Sequence, residues 1–198
     1  EWLDRWVAPS WICSTADEEA WKKMRKLLIK RYKHPIRAWR LLLDVDDSNQ
    51  VSWSEFKAAA KVVRFEGNVG GAWRHLDSND SGSISMLEYD PPSAEILESF
   101  KEWVETSFGT MKLAFSAIDT DGDGTLTFAE LRCMCKKLKW KGSVRTLFDC
   151  LEREHTGRPS SPGGRYLSLK DCKFLDSWQT DFDREVEGLD ADAAVAAA

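Results

Sequence analysis

Aspartates at 119, 121 and 123, a glycine at 124, a leucine at 126 and a glutamate at 130 fall within twelve consecutive residues, Asp119 to Glu130. Their chemistry suits a hard divalent cation. Ca2+ takes six to eight oxygens at roughly 2.3–2.6 Å, so a short loop that binds it must curl around the ion and offer several donors at once. Positions 1, 3 and 5 aim Asp119, Asp121 and Asp123 inward, the Thr125 carbonyl contributes from position 7, and Glu130 closes the far side with both oxygens. Gly124 stands where the chain must pass through a left-handed turn, which costs little without a Cβ.

The same spacing occurs twice more. Asp44, Asp46, Ser48, Gln50 and Glu55 occupy positions 1, 3, 5, 7 and 12 of a stretch that carries Asn49 in place of the glycine. Asparagine is among the few other residues that visit the left-handed region, so this turn is expected to survive. Asp77, Asn79, Ser81, Ser83 and Glu88 form the third stretch, with Gly82 at position 6. Among these ligating side chains only Asp77 and Glu88 are charged, and fewer carboxylates at ligand positions predict weaker binding. The expected order of affinity is Asp119, then Asp44, then Asp77, with the strongest site at roughly 10⁻⁷–10⁻⁵ M. A fourth stretch begins at Glu152 and fails. Residues 158–165 intervene before Tyr166–Asp171 resumes the pattern, and Asp171 in the closing position reaches less far than glutamate. This stretch is expected to keep its helices and hold no ion, so the total is up to three Ca2+.

Helices must flank these loops. Ile36–Leu43 leads into the first and Phe56–Phe65 leaves it; Trp73 and Leu76 lead into the second. Asp90–Pro91 reads as a cap with proline in the first turn, opening a helix with Leu97, Phe100, Val104 and Phe108 on one face. Upstream, Thr15-Ala16-Asp17-Glu18 has the form of a capping box. It precedes a helix, 16–33, that is apolar at Ala20, Trp21, Met24, Leu27 and Leu28 and basic at Lys22, Lys23, Arg25, Lys26, Lys30, Arg31 and Lys33. Trp2, Leu3, Trp6 and Val7 share one face of a short first segment that needs a surface to dock on. Paired offsets of 75 residues link Asp44 to Asp119, Glu55 to Glu130, Gly67 to Gly142, Trp73 to Phe148 and Leu76 to Leu151. Two copies of a two-loop unit are the simplest reading. The position-8 residues, Val51 with Ile84 and Leu126 with Leu167, are expected to pair across short two-stranded bridges.

Over Ile36 to Leu175 the chain resembles the EF-hand superfamily, in the four-hand arrangement of calmodulin or troponin C, with a degenerate fourth hand. The resemblance implies calcium binding, two lobes and often a calcium-dependent hydrophobic groove. It departs from the pattern in its first entering helix, where Arg40 stands in the place of an aromatic and Trp39 falls one step earlier. The expected fold is all-α: two EF-hand pairs with short inter-loop β-bridges and an N-terminal helical extension. The expected divisions are the extension at 1–35, hands 1 and 2 at 36–91, a linker helix with hands 3 and 4 at 92–178, and an acidic, alanine-rich tail at 179–198.

Composition narrows the function. Hydrophobic residues make up 42% and charged residues 31% of the 198, and no apolar run approaches the ~20 residues a membrane helix needs. A net charge of −5 gives no reason to expect a nucleic-acid partner. The five cysteines, at 13, 133, 135, 150 and 172, form an odd set without C-x-x-C spacing; reduced thiols in an intracellular compartment are expected. The chain begins at Glu1, which suggests a processed form or a fragment. His34, His75 and His155 sit beside no plausible nucleophile, so no enzyme is expected. Two readings stay open. In one, calcium exposes apolar surface for a partner protein; in the other, calcium stiffens a subunit of a larger assembly or regulates a larger enzyme. Trp2 and Trp6 have the spacing of anchors that fill such a groove. Membrane contact through the basic helix is the less favoured use of that face.

Overall fold

Helix α1, Glu18–Tyr32, opens the part of the chain that the computed structural model describes, residues 11–153 and 165–178. Its cap is Asp17 rather than the expected Thr15. The Asp17 carboxylate accepts from the Ala20 amide at 2.9 Å, while its own amide donates to the Gly71 carbonyl at 2.9 Å. Two acids in the first turn and two bases in the last suit the helix dipole. Its apolar stripe, Ala20, Trp21, Met24 and Leu28, is buried. Lys33 then ends it in the left-handed region at φ 68°.

The chain divides into two units, Glu1–Tyr89 and Asp90–Ala198. In the first, α2 (Pro35–Ala38) runs on into a π-helical turn, Trp39–Leu43. The first loop follows, then β1 (Val51–Ser52), α3 (Trp53–Val62), α4 (Val69–Leu76), the second loop, β2 (Ser83–Ile84) and α5 (Met86–Tyr89). Strands β1 and β2 are antiparallel, with Val51 opposite Ile84. Trp21 reaches across to Tyr89 and Phe56, with ring centroids 5.5 and 6.4 Å away. Trp73 meets Phe56 edge-on at 5.5 Å. Helix α1 is thus part of the core of this unit and not an appendage to it.

The second unit begins with α6, Pro91–Phe108, with Asp90 at the N-cap. The Asp90 carbonyl accepts the Ser93 and Ala94 amides, but its side chain makes no capping bond to the helix. Next come α7 (Met111–Ile118), β3 (Thr125–Thr127), α8 (Phe128–Lys137), α9 (Val144–Leu151), β4 (Tyr166–Ser168), α10 (Leu169–Cys172) and α11 (Phe174–Ser177). Leu126 faces Leu167 in the β3–β4 ladder. Helix α6 buries Leu97, Phe100 and Val104 and ends at Gly109, φ 85°.

Small details recur 75 residues apart. Val63 and Leu138 cap α3 and α8, and the next residues, Arg64 and Lys139, are left-handed at φ 56° and 58°. The Phe65 amide donates to Ala60 and the Trp140 amide to Cys135, both at 2.9 Å. A Cβ on Gly67 or Gly142 would strike the ring of Phe65 or Trp140, so each aromatic lies over its glycine. Upstream of the first loop the spacing is 76: Lys33 matches Gly109, and His34 matches Thr110, the caps of α2 and α7. The π turn supplies the extra residue. The structure is mostly helical with two small ladders. Trp2, Trp6 and the 179–198 tail lie outside the described residues.

Candidate metal centre

Three loops share one internal hydrogen bond. The amide at position 6 donates to the carboxylate at position 1: Asn49 to Asp44 at 3.1 Å, Gly82 to Asp77 at 3.2 Å, Gly124 to Asp119 at 3.0 Å. This bond needs a left-handed residue, and φ is 62°, 81° and 80° in turn. Asn49 therefore takes the glycine's place as expected. At the other end, position 12 closes a capping box. Glu55, Glu88 and Glu130 each accept, through Oε2, the amide three residues earlier at 2.9, 2.9 and 3.0 Å. In the first and third loops the remaining oxygen reaches back to position 2, accepting from Val45 at 3.1 Å and Thr120 at 3.0 Å. One glutamate thus ties both ends of its loop and anchors the first turn of the exiting helix.

Each loop must also be entered correctly. Position 1 caps the entering helix, and Asp77, Asp119 and Glu152 all donate their amides to an aromatic four residues back: Trp73, Phe115 and Phe148. Asp44 donates to Trp39, five residues back, at 2.9 Å. The π turn absorbs the added residue and leaves Trp39 buried, so the aromatic that seemed displaced holds its place.

Oxygen donors converge in two loops. Asp44, Asp46 and Glu55 bring carboxylate oxygens within 4.8 Å of one another, as do Asp119, Asp121 and Asp123. Glu130 is not in the second group; its oxygens sit on the Thr120 and Thr127 amides. Ser48 donates to Asp44 at 3.4 Å and to the Gln50 carbonyl at 3.0 Å. The Asp77 loop repeats this: Ser81 donates to Asp77 at 3.3 Å and to the Ser83 carbonyl at 2.8 Å, while Asn79 accepts the Ser81 amide at 3.0 Å. With two carboxylates at ligand positions and Asp80 paired with Arg74, it forms no three-acid group among the described residues. Thr125 donates to Asp123 through both amide and hydroxyl at 2.7 Å.

Charge follows this crowding. Burial pushes Asp44 up to about 6, with Asp46 and Asp47 adding to the rise and the Asn49 and Ser48 bonds opposing it. Hydrogen bonds from Ser48 lower Asp46. At Asp121 the Asp123 amide lowers the pKa, but desolvation and the neighbouring charges of Asp123 and Glu130 outweigh it and raise it. Burial pushes Glu130 up, yet bonds from Thr127 and Thr120 leave it lowered. All donors are hard oxygens, with no thiolate or imidazole in either acidic group, which fits Ca2+ and not Zn2+.

The fourth loop departs from the others. Ser168 donates to Asp171 at 2.7 Å, so the closing cap is kept. Arg165 Nε donates to Glu152 Oε2 at 2.6 Å, and the guanidinium also pairs with Asp149. It lies 5.4 Å over the Phe148 ring. The Glu152 bond, then that of Asp149, raises the Arg165 pKa further. Sequence reading passed over Arg165 as part of an insertion; its place just before a strand, opposite a glutamate at position 1, was the available signal.

The cysteines are free thiols, with Cys135, Cys150 and Cys172 buried. Burial pushes Cys135 and Cys150 up to about 12.

Residues 110–138 match the family described as the EF hand domain, which spans α7, the Asp119 loop and α8. No curated protein matches the chain. One EF hand is thereby established, and with its acidic group it carries calcium binding as the implied chemistry.

Proposed function

We infer that the chain is a calcium-responsive regulatory module built from two pairs of EF hands, with ions held by the 44–55, 77–88 and 119–130 loops and a fourth hand that takes none. The observation that carries this is the shared bond from the position-6 amide to the position-1 carboxylate in all three loops, with the closing glutamate capping each exiting helix. Bound calcium would be held by Asp44, Asp46, Ser48, Gln50 and Glu55, by Asp77, Asn79, Ser81, Ser83 and Glu88, and by Asp119, Asp121, Asp123, Thr125 and Glu130. Its chemistry there is charge neutralisation. Glu55 and Glu130 each link loop and exiting helix, so drawing either toward an ion moves that helix.

The partner is a protein segment. A cleft of about 300 Å³ in the first unit supports this, walled by Trp53, Phe65 and Ala60 and flanked by Lys57 and Lys61. Those surfaces suit an acidic, amphipathic helix. A second reading has its own support: α1 and α6 already cover the apolar faces, as calcium acting only as a stiffener would permit. No enzymatic role and no nucleic-acid partner form part of the proposal, which places the protein in a reducing, intracellular compartment. Tryptophan fluorescence during Ca2+ and Mg2+ titrations separates the readings. A large change with Ca2+ alone supports the regulatory module; equal small changes support the static role.

A further inference from the structure

The end of α8 concentrates charge that the calcium loops do not use. From Leu131 to Phe148 the chain holds no acidic residue, and its bases are Arg132, Lys136, Lys137, Lys139, Lys141 and Arg145. All of these are exposed, and none forms an ion pair among the described residues. Two indoles stand at the same place. Trp103 and Trp140 are half-buried with ring centroids 6.5 Å apart. Each N–H donates to the other's segment, Trp140 to the Ser99 carbonyl and Trp103 to the Leu138 carbonyl, both at 3.4 Å. Phe100 packs against both rings, at 5.4 and 5.5 Å, and Leu138 is 40% exposed.

The local fold does not require these lysines. The first unit builds the same turn 75 residues earlier, with Arg64 left-handed in the place of Lys139 and Phe65 over Gly67 in the place of Trp140 over Gly142. There Val62 and Glu66 occupy the places of Lys137 and Lys141. The turn therefore forms without positive charge at either position.

An anionic bilayer accounts for both kinds of group. Each lysine near such a surface adds about fivefold to binding, while indole rings and exposed apolar side chains settle at the headgroup level. The run Lys136-Lys137-Leu138-Lys139-Trp140-Lys141 interleaves the two. A nucleic-acid strand would need open ring faces for its bases, and Trp103 is already stacked on Phe100 with Phe108 edge-on to it. The net charge of −5 does not oppose local contact, because physiological salt screens exposed charges beyond about 8 Å. Glu98, Glu102 and Glu105 of α6 adjoin these rings in sequence, but Glu105 pairs with Lys101 at 3.1 Å and the bases of α8 and its exit outnumber the other two.

We propose that the end of α8, together with Trp103 and Trp140, is a docking surface for an anionic phospholipid membrane. It is separate from the cleft of the first unit and does not depend on the calcium reading.

The test uses the full chain in chelator, so that calcium cannot bridge protein and lipid. Vesicles of phosphatidylcholine and phosphatidylserine in equal parts should sediment the protein, and vesicles of phosphatidylcholine alone should not. Lys137→Gln with Lys141→Gln should weaken this binding about tenfold or more and leave the thermal melt unchanged. Lys23→Gln with Lys26→Gln removes equal charge from α1 and should leave binding as it is. Trp140→Phe keeps an aromatic over Gly142 and should lessen the quenching of tryptophan fluorescence by brominated lipid. No sedimentation with the anionic vesicles would overturn the proposal, as would a loss that follows the α1 variant instead. Binding of a polyglutamate peptide or a single-stranded RNA in place of the vesicles would also overturn it, since the surface would then serve another class of partner.

Discussion

The Asp44 amide donates to the Trp39 carbonyl five residues back, at 2.9 Å, where the other loops reach back four. One added residue in the entering helix is absorbed by a single π turn, and Trp39 and Leu43 both stay buried. Leu41 is 40% exposed and is the natural residue to remove. Its deletion leaves Trp-Arg-Leu-Leu-Asp, close to Trp73-Arg74-His75-Leu76-Asp77. The shortened chain should fold with stability within about 1 kcal/mol of wild type, since π turns arise as one-residue insertions into α-helices. Deleting Ser116, the exposed residue at the matching point of α7, should instead rotate the buried stripe and abolish the Asp119 site. Thermal melts and calcium titrations check both; equal damage from the two deletions would contradict the account.

Asp44 gives a pH dependence with a definite sign. Its folded-state pKa, about 6, lies above the ordinary 3.8, so the ion-free fold binds this proton more tightly than the unfolded chain does. The stability it contributes is full below pH 4 and lost as pH rises through 6, by up to ~3 kcal/mol. Calcium requires the carboxylate and reverses the trend. Urea melts in chelator at pH 5 and 7 should show this slope in the wild type and its reduction in Asp44→Asn. An identical slope in the two proteins would remove Asp44 as its source.

Trp21 ties α1 to the first unit through Phe56 and Tyr89. Trp21→Ala should cost roughly 3–5 kcal/mol, as truncation of a buried aromatic does. Dislodging α1 should also expose Met24, Leu28 and the rings they cover, raising the binding of an apolar dye in the absence of calcium. A destabilised variant with unchanged dye binding below its melting point would show that α1 covers no such face.

The loops were legible because metal chemistry constrains residue type at fixed spacing. The ladder register followed, since Val51, Ile84, Leu126 and Leu167 each hold position 8. What escaped depended on distant contacts. Asp17 outcompetes Thr15 as the α1 cap because its amide is anchored to Gly71, 54 residues away. The membership of α1 in the first unit, and not in a separate extension, rests on Trp21 meeting Tyr89. Arg165 was hidden as the last residue of the insertion at 158–165. The displaced aromatic at Trp39 was visible in the sequence, but its remedy was not, because a π turn leaves no residue signature of its own.

The most direct test observes the amides of Gly82 and Gly124 by ¹⁵N-resolved NMR while Ca2+ is added, with calorimetry on the same samples. Each amide is already bonded to the carboxylate that would take the ion, at 3.2 and 3.0 Å. Polarisation of that carboxylate by calcium should move both resonances strongly, Gly124 at lower concentration than Gly82, and Glu130→Gln should remove the Gly124 response and the tightest calorimetric site. Resonances that stay fixed in millimolar Ca2+, or a Gly124 shift that survives Glu130→Gln unchanged, would contradict the account.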